Sequence, residues 1–170
     1  MKLDNLKLEV PYYSQYIDIS DPFWMLRGCG AVSLKMVLDF HRVPTPDLVM
    51  LCNELKDRGG YHMENGWIHD QLVEYVCEKG MHAERKEGLT SLKEILNSLE
   101  NGNPVIASVE KRVLEQKRFH MIVVTGYENG MIIYHDPEYT NKERGQNRSC
   151  TQAEFMNYWR GMVILISKII

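Results

Sequence analysis

The chain has 170 residues, a length typical of one domain that buries a core without needing disulfides or a metal. Its 20 lysine and arginine residues against 23 aspartate and glutamate residues give a formal net charge of -3. There is no basic run and no basic, aromatic-rich stripe, which argues against nucleic-acid binding. We therefore predict one domain over residues 1–170 that binds no nucleic acid.

The N-terminal segment, MKLDNLKLEVPYY, carries charges throughout and lacks the continuous apolar core of a secretory signal. No uncharged apolar stretch approaches the roughly 20 residues that a membrane-spanning helix needs. We expect a soluble, cytoplasmic protein with no membrane partner, and the sequence does not indicate an oligomeric state. The cysteines form no CxxC pair, which favours reduced thiols and leaves two disulfides open; they are Cys29, Cys52, Cys77 and Cys150.

The first half of the sequence predicts helices. RGCGAVSLKMVLDF forms a central helix from Cys29 that is apolar on almost every side, because Lys35, Asp39 and Arg42 share one narrow wedge. The segment 57–66 contains three glycines and no regular spacing of apolar residues, which is typical of an exposed loop near a functional site. The other helices are one with Thr45 as N-cap that ends near Lys56, one from about Trp67 to Lys79 that Gly80 ends, and one over SLKEILNSLENG with a Ser91–Glu94 capping box.

The second half predicts an antiparallel sheet. The β-branched segments are a short strand at 82–86, PVIASVEK, FHMIVVTGYENGMIIYHDP and GMVILISKII. The Asn129-Gly130 pair is a strong hairpin signal, and TQAEFMNYWRG adds a helix capped by Thr151 with Glu154 three residues later. Helices followed by strands indicate an α+β fold, with a helical N-terminal half packed on a C-terminal antiparallel sheet.

Cys29 is the cysteine whose position suggests chemistry. It lies at the first turn of its predicted helix, where the helix dipole and free backbone N–H groups favour the thiolate over the thiol. Gly28 and Gly30 on either side let the backbone turn sharply and approach a ligand closely. Cys52 and Cys77 fall in mid-helix on apolar faces, and we interpret them as buried structural thiols.

A nucleophilic thiol needs a base, and His120 stands at the entry of the strand HMIVVTGY, where a polar ring needs a hydrogen-bond partner. His120 lies about nine residues before the hairpin turn and Asp136 about six after it, so both fall toward the open end of one hairpin. A carboxylate there holds the imidazole in the right tautomer and stabilises its charged form. A helix-borne sulfur that faces a sheet-borne imidazole, in the order Cys, His, Asp, is the papain-like arrangement.

The remaining candidates carry less specific signals. Gln15, in VPYYSQ, can form an oxyanion hole with the backbone N–H of Cys29. Only one of His135 and Asp136 can face the cleft, because adjacent side chains on a strand point to opposite faces. Trp67 and His69 read as cleft wall or packing. The cluster at 61–64, YHME, lacks the spaced partners that zinc needs, so we assign no metal and no other cofactor.

Five blocks, VPYYSQ, RGCGAVSLKMVLDF, GGYHMENGWIHDQL, FHMIVVTGYENG and YHDP, resemble in this order the peptidase family of bacteriocin-processing, double-glycine-leader cysteine peptidases and their stand-alone bacterial relatives. The resemblance covers nearly the whole chain and implies a papain-like fold with thiolate attack on a peptide carbonyl. It implies Cys29 as nucleophile, His120 as general base and acid, Asp136 as the residue that orients the imidazole, and Gln15 as the oxyanion-hole amide.

One departure from that family concerns Gln15. The leader-processing enzymes place their glutamine only a few residues before the cysteine, whereas Gln15 lies fourteen positions before Cys29. The segment YIDISDPFWMLRG must therefore loop out for Gln15 to return to the site.

The first functional hypothesis is hydrolysis of peptide bonds in a peptide or protein substrate through a Cys29, His120 and Asp136 triad, with Gly28, Trp67 and His69 in contact with substrate. Two alternatives stay open. The same triad serves an acyl transferase or an amidase, and the fold also serves as a non-catalytic peptide-binding pseudopeptidase.

Overall fold

A computed structural model describes residues 5–113 and 116–170 of the chain. Its helices are α1 (Gln15–Asp18), α2 (Pro22–Met25), α3 (Cys29–Phe40), α4 (Leu48–Asp57), α5 (His69–Glu78), α6 (Lys93–Glu100), α7 (Lys142–Gly145) and α8 (Gln152–Tyr158). Its strands are β1 (Leu6–Lys7), β2 (Tyr61–His62), β3 (Gly66–Trp67), β4 (Met81–Lys86), β5 (Val105–Val113), β6 (Gln116–Glu128), β7 (Met131–His135), β8 (Arg148–Thr151) and β9 (Trp159–Lys168).

Seven strands form one antiparallel sheet in the order β4-β9-β5-β6-β7-β8, with β1 beside β6. The β6–β7 hairpin turns at Asn129 and Gly130, as predicted, and both residues have positive φ. That backbone matches a two-residue turn whose twist suits paired strands. The pairing shifts register between Val124 and Gly126, so β6 carries a β-bulge at Thr125.

Both faces of the sheet are covered by helices. On one face, α3 lies against β5 and β6, and its buried side chains join those of α4 and α5 in one apolar core. On the other face, α6 and α8 cover β5 to β7 with a second apolar core. The structure confirms the predicted α+β fold, in which the central helix that begins at Cys29 packs on the antiparallel sheet. No helix in the described ranges is long and apolar enough to cross a membrane.

Two helix N-caps were predicted wrongly. The N-cap of α4 is Asp47, whose carboxylate accepts from the backbone N–H of Met50, because the Thr45 hydroxyl is already held between Lys35 and Asp39 of α3. The N-cap of α6 is Leu92, and the Ser91 hydroxyl accepts from the backbone N–H of Lys93 at 3.5 Å and not from that of Glu94, so the predicted Ser91–Glu94 capping box does not form. At Thr151 the predicted cap is confirmed, because its hydroxyl accepts from Glu154 N–H.

Other corrections concern the segment before α5 and the end of that helix. The predicted loop 57–66 contains β2 and the first residue of β3, and Trp67 lies in β3, so α5 begins at His69. Cys77, near the end of α5, is exposed and not buried. The helix predicted over TQAEFMNYWRG is shorter, because β9 begins at Trp159.

Candidate active site

Cys29 is the first residue of α3 and stands half-buried in a cleft of about 400 Å³. Its N-cap is Gly28, which has no side chain to cap the N–H groups of the first turn. A side chain at Gly28 would meet the Ile19 side chain at 2.5 Å and the Trp24 carbonyl at 2.9 Å. Gly28 therefore serves close packing behind the cysteine, and it is not among the residues that line the cleft.

Gln15 lies beside Gly28 in spite of its distance from Cys29 along the chain. The helices α1 and α2 take up the intervening segment, as the predicted loop requires, and the backbone N–H of Gln15 donates to the carbonyl of Pro137 at 2.8 Å. The side chain is buried and lines the cleft, and its Nε2 donates to the Met25 carbonyl at 3.0 Å. A primary amide nitrogen has two protons, and the bond to Met25 uses one of them.

His120 and Asp136 meet as the hairpin predicts. Nε2 of His120 donates to Oδ1 of Asp136 at 2.8 Å, and each residue is only 3% exposed. The β-bulge at Thr125 makes this contact possible, because it pairs Val123 with His135 and so carries Asp136 to within two residues of His120 on the partner strand. Residues two apart on a strand share a face, which lets the two side chains meet.

The imidazole of His120 and the carboxylate of Asp136 stabilise each other's ionised forms. Burial lowers the pKa of His120, but hydrogen bonds to Asp136 and to the Cys29 sulfur outweigh it and raise that pKa to about 9. Burial likewise raises the pKa of Asp136, whereas the His120 hydrogen bond and the Lys111 charge bring it well below its usual range. The arrangement stabilises a protonated imidazole between a carboxylate and a sulfur.

Three charged residues complete this cluster and were not predicted. Lys111 Nζ donates to Asp136 at 2.7 Å and lies 3.4 Å from Glu138, whose carboxylate is also bonded to Arg118 and is 3.5 Å from Nδ1 of His120. A signal was present in the sequence, since Arg118 and His120 are two apart on β6 and so share a face. The structure pairs Lys111 on β5 directly with Arg118.

Trp67 forms a wall of the cleft across the first turn of α3. Its Nε1 donates to the Arg27 carbonyl at 2.8 Å, its ring stacks on Trp24, and it is buried. A side chain at Gly30 would overlap the Trp67 ring carbons at 2.3 to 2.7 Å. The prediction that Trp67 is cleft wall or packing fits its position, because the residue does both.

Gly30→Ala should destabilise the protein although alanine is the better helix former. Helix propensity alone favours alanine by about 1 kcal/mol. The overlap with the Trp67 ring, which the Arg27 carbonyl and Trp24 hold in place, costs about 1–3 kcal/mol. Denaturant unfolding of Gly30→Ala would measure this change. In a Trp67→Leu background the same substitution should cost much less, and an equal cost in both backgrounds would contradict the steric explanation.

The other histidines have different surroundings. His69 lines the cleft at 9% exposure, and burial together with the charges of Arg85 and Arg160 lowers its pKa to about 4. His135 faces away from the cleft, since its Nε2 donates to the Val10 carbonyl and its Nδ1 accepts from the backbone of Asn147.

The structure describes four free cysteines. Cys52 is fully buried, as predicted, and burial raises its pKa to about 12. Among residues 5–113 and 116–170, no group of three potential ligands is placed to hold a metal ion. A larger, open groove of about 630 Å³ lies between α6 and α8, but the described residues that line it include no cysteine or histidine.

Solved structures share this fold. A C39-like peptidase from Bacillus anthracis is 18% identical, with a TM-score of 0.71 and 98% of each chain covered. The double glycine motif protease from an AMS/PCAT transporter, solved with the leader peptide, is 16% identical, with a TM-score of 0.64 over 99% of this chain and 100% of that chain. The peptidase domain of Streptococcus ComA, a bifunctional ABC transporter, is 18% identical, with a TM-score of 0.60 over 85% and 93%. At these identities the likeness shows the fold alone.

Comparison with curated proteins gives no match. A sequence model of the Peptidase_C39 like family matches residues 7–165 and so covers nearly all of the chain, including Gln15, Cys29, His120 and Asp136. The match confirms the family that the sequence blocks predicted. The chain therefore belongs to the Peptidase_C39 like family and is a cysteine-type peptidase.

Proposed function

We propose that this chain hydrolyses peptide bonds through Cys29, His120 and Asp136, by way of an acyl-enzyme intermediate. The observation that carries the proposal is the position of the His120 ring, which is hydrogen-bonded to Asp136 and lines the same cleft as the Cys29 sulfur, with which it interacts electrostatically. A thiolate beside an imidazolium is a nucleophile paired with its own proton donor.

The chemistry follows from these positions. The Cys29 thiolate adds to the carbonyl carbon of the scissile amide, and the carbonyl oxygen becomes an oxyanion. His120 then gives its proton to the leaving amine nitrogen, the C–N bond breaks, and an acyl-enzyme thioester remains. The neutral imidazole takes a proton from water, whose oxygen attacks the thioester, and the thiolate leaves as the acid product forms.

Two donors serve the oxyanion in this scheme. One is the backbone N–H of Cys29, at the start of α3, and the other is the second Nε2 proton of Gln15. The hydrogen bond to the Met25 carbonyl fixes the amide so that nitrogen and oxygen do not exchange places. Gln15 then needs no rearrangement when charge develops on the substrate oxygen.

Lys111 and Glu138 are positioning residues. Lys111 holds the second oxygen of Asp136, and the backbone N–H of Glu138 donates to the first at 2.9 Å. With both oxygens fixed, the carboxylate can hold the imidazole in one orientation, toward Cys29.

The substrate is a peptide or a protein. The cleft has an apolar rim made by the exposed side chains of Leu26, Met63 and Phe119 around the polar centre. A peptide chain offers side chains for such a rim and amides for the centre. A relative with the same fold was solved with its leader peptide, which supports a peptide ligand.

Alkylation of Cys29 by iodoacetamide, followed against pH by mass spectrometry, tests the nucleophile. At pH 6.5 an ordinary thiol is about 1% thiolate, so a thiolate held by His120 should react about tenfold faster or more than Cys77, the exposed internal reference. His120→Ala, and His120→Gln as a second variant, should remove this advantage.

If Cys29 follows the pH profile of Cys77 and neither His120 variant changes its rate, the triad proposal fails. That result would favour a non-catalytic peptide-binding protein. Far-ultraviolet circular dichroism of each variant establishes that the fold is retained.

A further inference from the structure

One wall of the cleft is polar and is not used by the proposed chemistry. It consists of His69, Ser108 and Arg160, which line the same cleft as Cys29. Arg160 Nη1 donates to the Ser108 hydroxyl at 2.9 Å, and Ser108 is only 2% exposed. Nε2 of His69 is buried and has no hydrogen-bond partner among the described residues. We call these three residues the polar wall.

The polar wall lies next to the reacting groups. Ser108 on β5 pairs with Met121 on β6, and the Arg160 guanidinium lies 3.5 Å from the centre of the Phe119 ring. Met121 and Phe119 flank His120 in the sequence. Because the polar wall, Cys29 and His120 line the same cleft, a substrate held at Cys29 can place a neighbouring side chain against this wall.

The chemistry of the wall is that of hydrogen-bond donors. A guanidinium has five N–H donors, and the bond to Ser108 uses one of them. Burial lowers the pKa of Arg160, because the guanidinium loses contact with water, while the charge of Glu110 opposes that effect. His69 is neutral at pH 7 and, in one tautomer, donates from Nε2.

Two other arginines near the wall, Arg85 and Arg118, are held in ion pairs. Arg85, whose positive charge lowers the pKa of both His69 and Arg160, is paired with Asp70 and Glu87. Arg118, which precedes Phe119 in the sequence, is bonded to the carboxylate of Glu138. In contrast, Arg160 donates to the neutral hydroxyl of Ser108, so a carboxylate from a ligand would complete the site.

We propose that His69, Ser108 and Arg160 form a subsite for an acidic side chain, aspartate or glutamate, located beside the scissile bond of a peptide substrate. This inference rests on the proposed function, since it names the substrate class of the same cleft. The bidentate geometry of guanidinium and carboxylate makes Arg160 the specificity-determining residue, and the neutral His69 and Ser108 add hydrogen bonds without adding charge.

Binding to the Cys29→Ala variant of the 170-residue chain tests the subsite without requiring turnover. The probes are acetylated, amidated hexapeptides of alanine and glycine with one aspartate placed at each position in turn, each compared with its asparagine counterpart by NMR titration. At one position the aspartate peptide should bind about tenfold more tightly, the lower end expected for a hydrogen bond to a charged group. Amidation removes the terminal carboxylate, so only the side chain can account for the preference.

Arg160→Met should reduce that ratio of affinities to about one, and Ser108→Ala should lower it in part. Arg58→Met, which removes an arginine from the end of α4 outside the cleft, should leave the ratio unchanged. Equal binding of the aspartate and asparagine peptides at every position overturns the proposal, and so does a preference that survives Arg160→Met. Because Cys29 is absent from this measurement, a failure of the alkylation test is a separate result.

Discussion

Replacement of Cys29 by alanine is expected to abolish peptide hydrolysis, with a fall in kcat/KM of about 10⁴-fold or more. The acyl-enzyme forms on Sγ, and alanine leaves no atom that can carry the acyl group. The measurement is the initial rate on a peptide that the unmodified protein cleaves. Since Cys29 is half-buried at a helix end, the loss of one sulfur should leave the midpoint of thermal unfolding nearly unchanged.

Cys77→Ser is the matched control for this variant. Cys77 is exposed near the end of α5, does not line the cleft, and should tolerate serine with full activity. A Cys29→Ala protein that keeps activity within tenfold of the unmodified chain would show that the nucleophile lies elsewhere.

Local sequence signals predicted most of the fold. The apolar helix that begins at Cys29, the Asn129-Gly130 turn and the Thr151 cap each depend on neighbouring residues, and each is confirmed. Errors arose where a distant partner decides the outcome. Thr45 fails as a cap because Lys35 and Asp39 of another helix already occupy its hydroxyl.

The contact between His120 and Asp136 could be predicted only in part from their distances to the turn. Distances from the turn place both side chains at the open end of the hairpin. They do not reveal the β-bulge at Thr125, and without it Asp136 would be three residues from His120 across the strands and on the other face. The bulge has no distinctive residue, so its effect is visible only in the strand pairing.

The polar wall could not be predicted from the sequence for a similar reason. His69, Ser108 and Arg160 come from the start of α5, from β5 and from β9, and only the order of strands in the sheet brings them together. His69 alone was predicted as cleft wall or packing. The alternation of β5 does not show that Ser108 has an arginine neighbour from β9.

Asp136→Asn is expected to lower kcat/KM by about 10²- to 10⁴-fold while keeping the size of the side chain. The neutral amide no longer stabilises the imidazolium, so the proton donor for the leaving amine is lost at a lower pH. The pKa of His120 is raised to about 9 with Asp136 present, and activity that needs the protonated ring should fall as pH rises through that value. In Asp136→Asn this alkaline limb of the pH–rate profile should move to lower pH.

Asp39→Asn is the control, because it removes a carboxylate that binds Tyr13 and Thr45 outside the cleft. Its alkaline limb should coincide with that of the unmodified chain. If Asp136→Asn also keeps the limb in place, Asp136 supports the structure and does not tune the imidazole.

A second variant separates the loss of charge from a disturbed contact. An asparagine at this position can still accept from His120 and from the backbone of Glu138 through its oxygen, which turns its NH₂ group toward the Lys111 ammonium. Two donors then face each other, and this contact destabilises the site. Adding Lys111→Met removes that conflict, so the Asp136→Asn/Lys111→Met protein should recover stability toward denaturant. Its alkaline limb should stay at the lower pH, since the shift depends on the missing carboxylate; a limb that returns to its original position would assign the effect to the Lys111 contact.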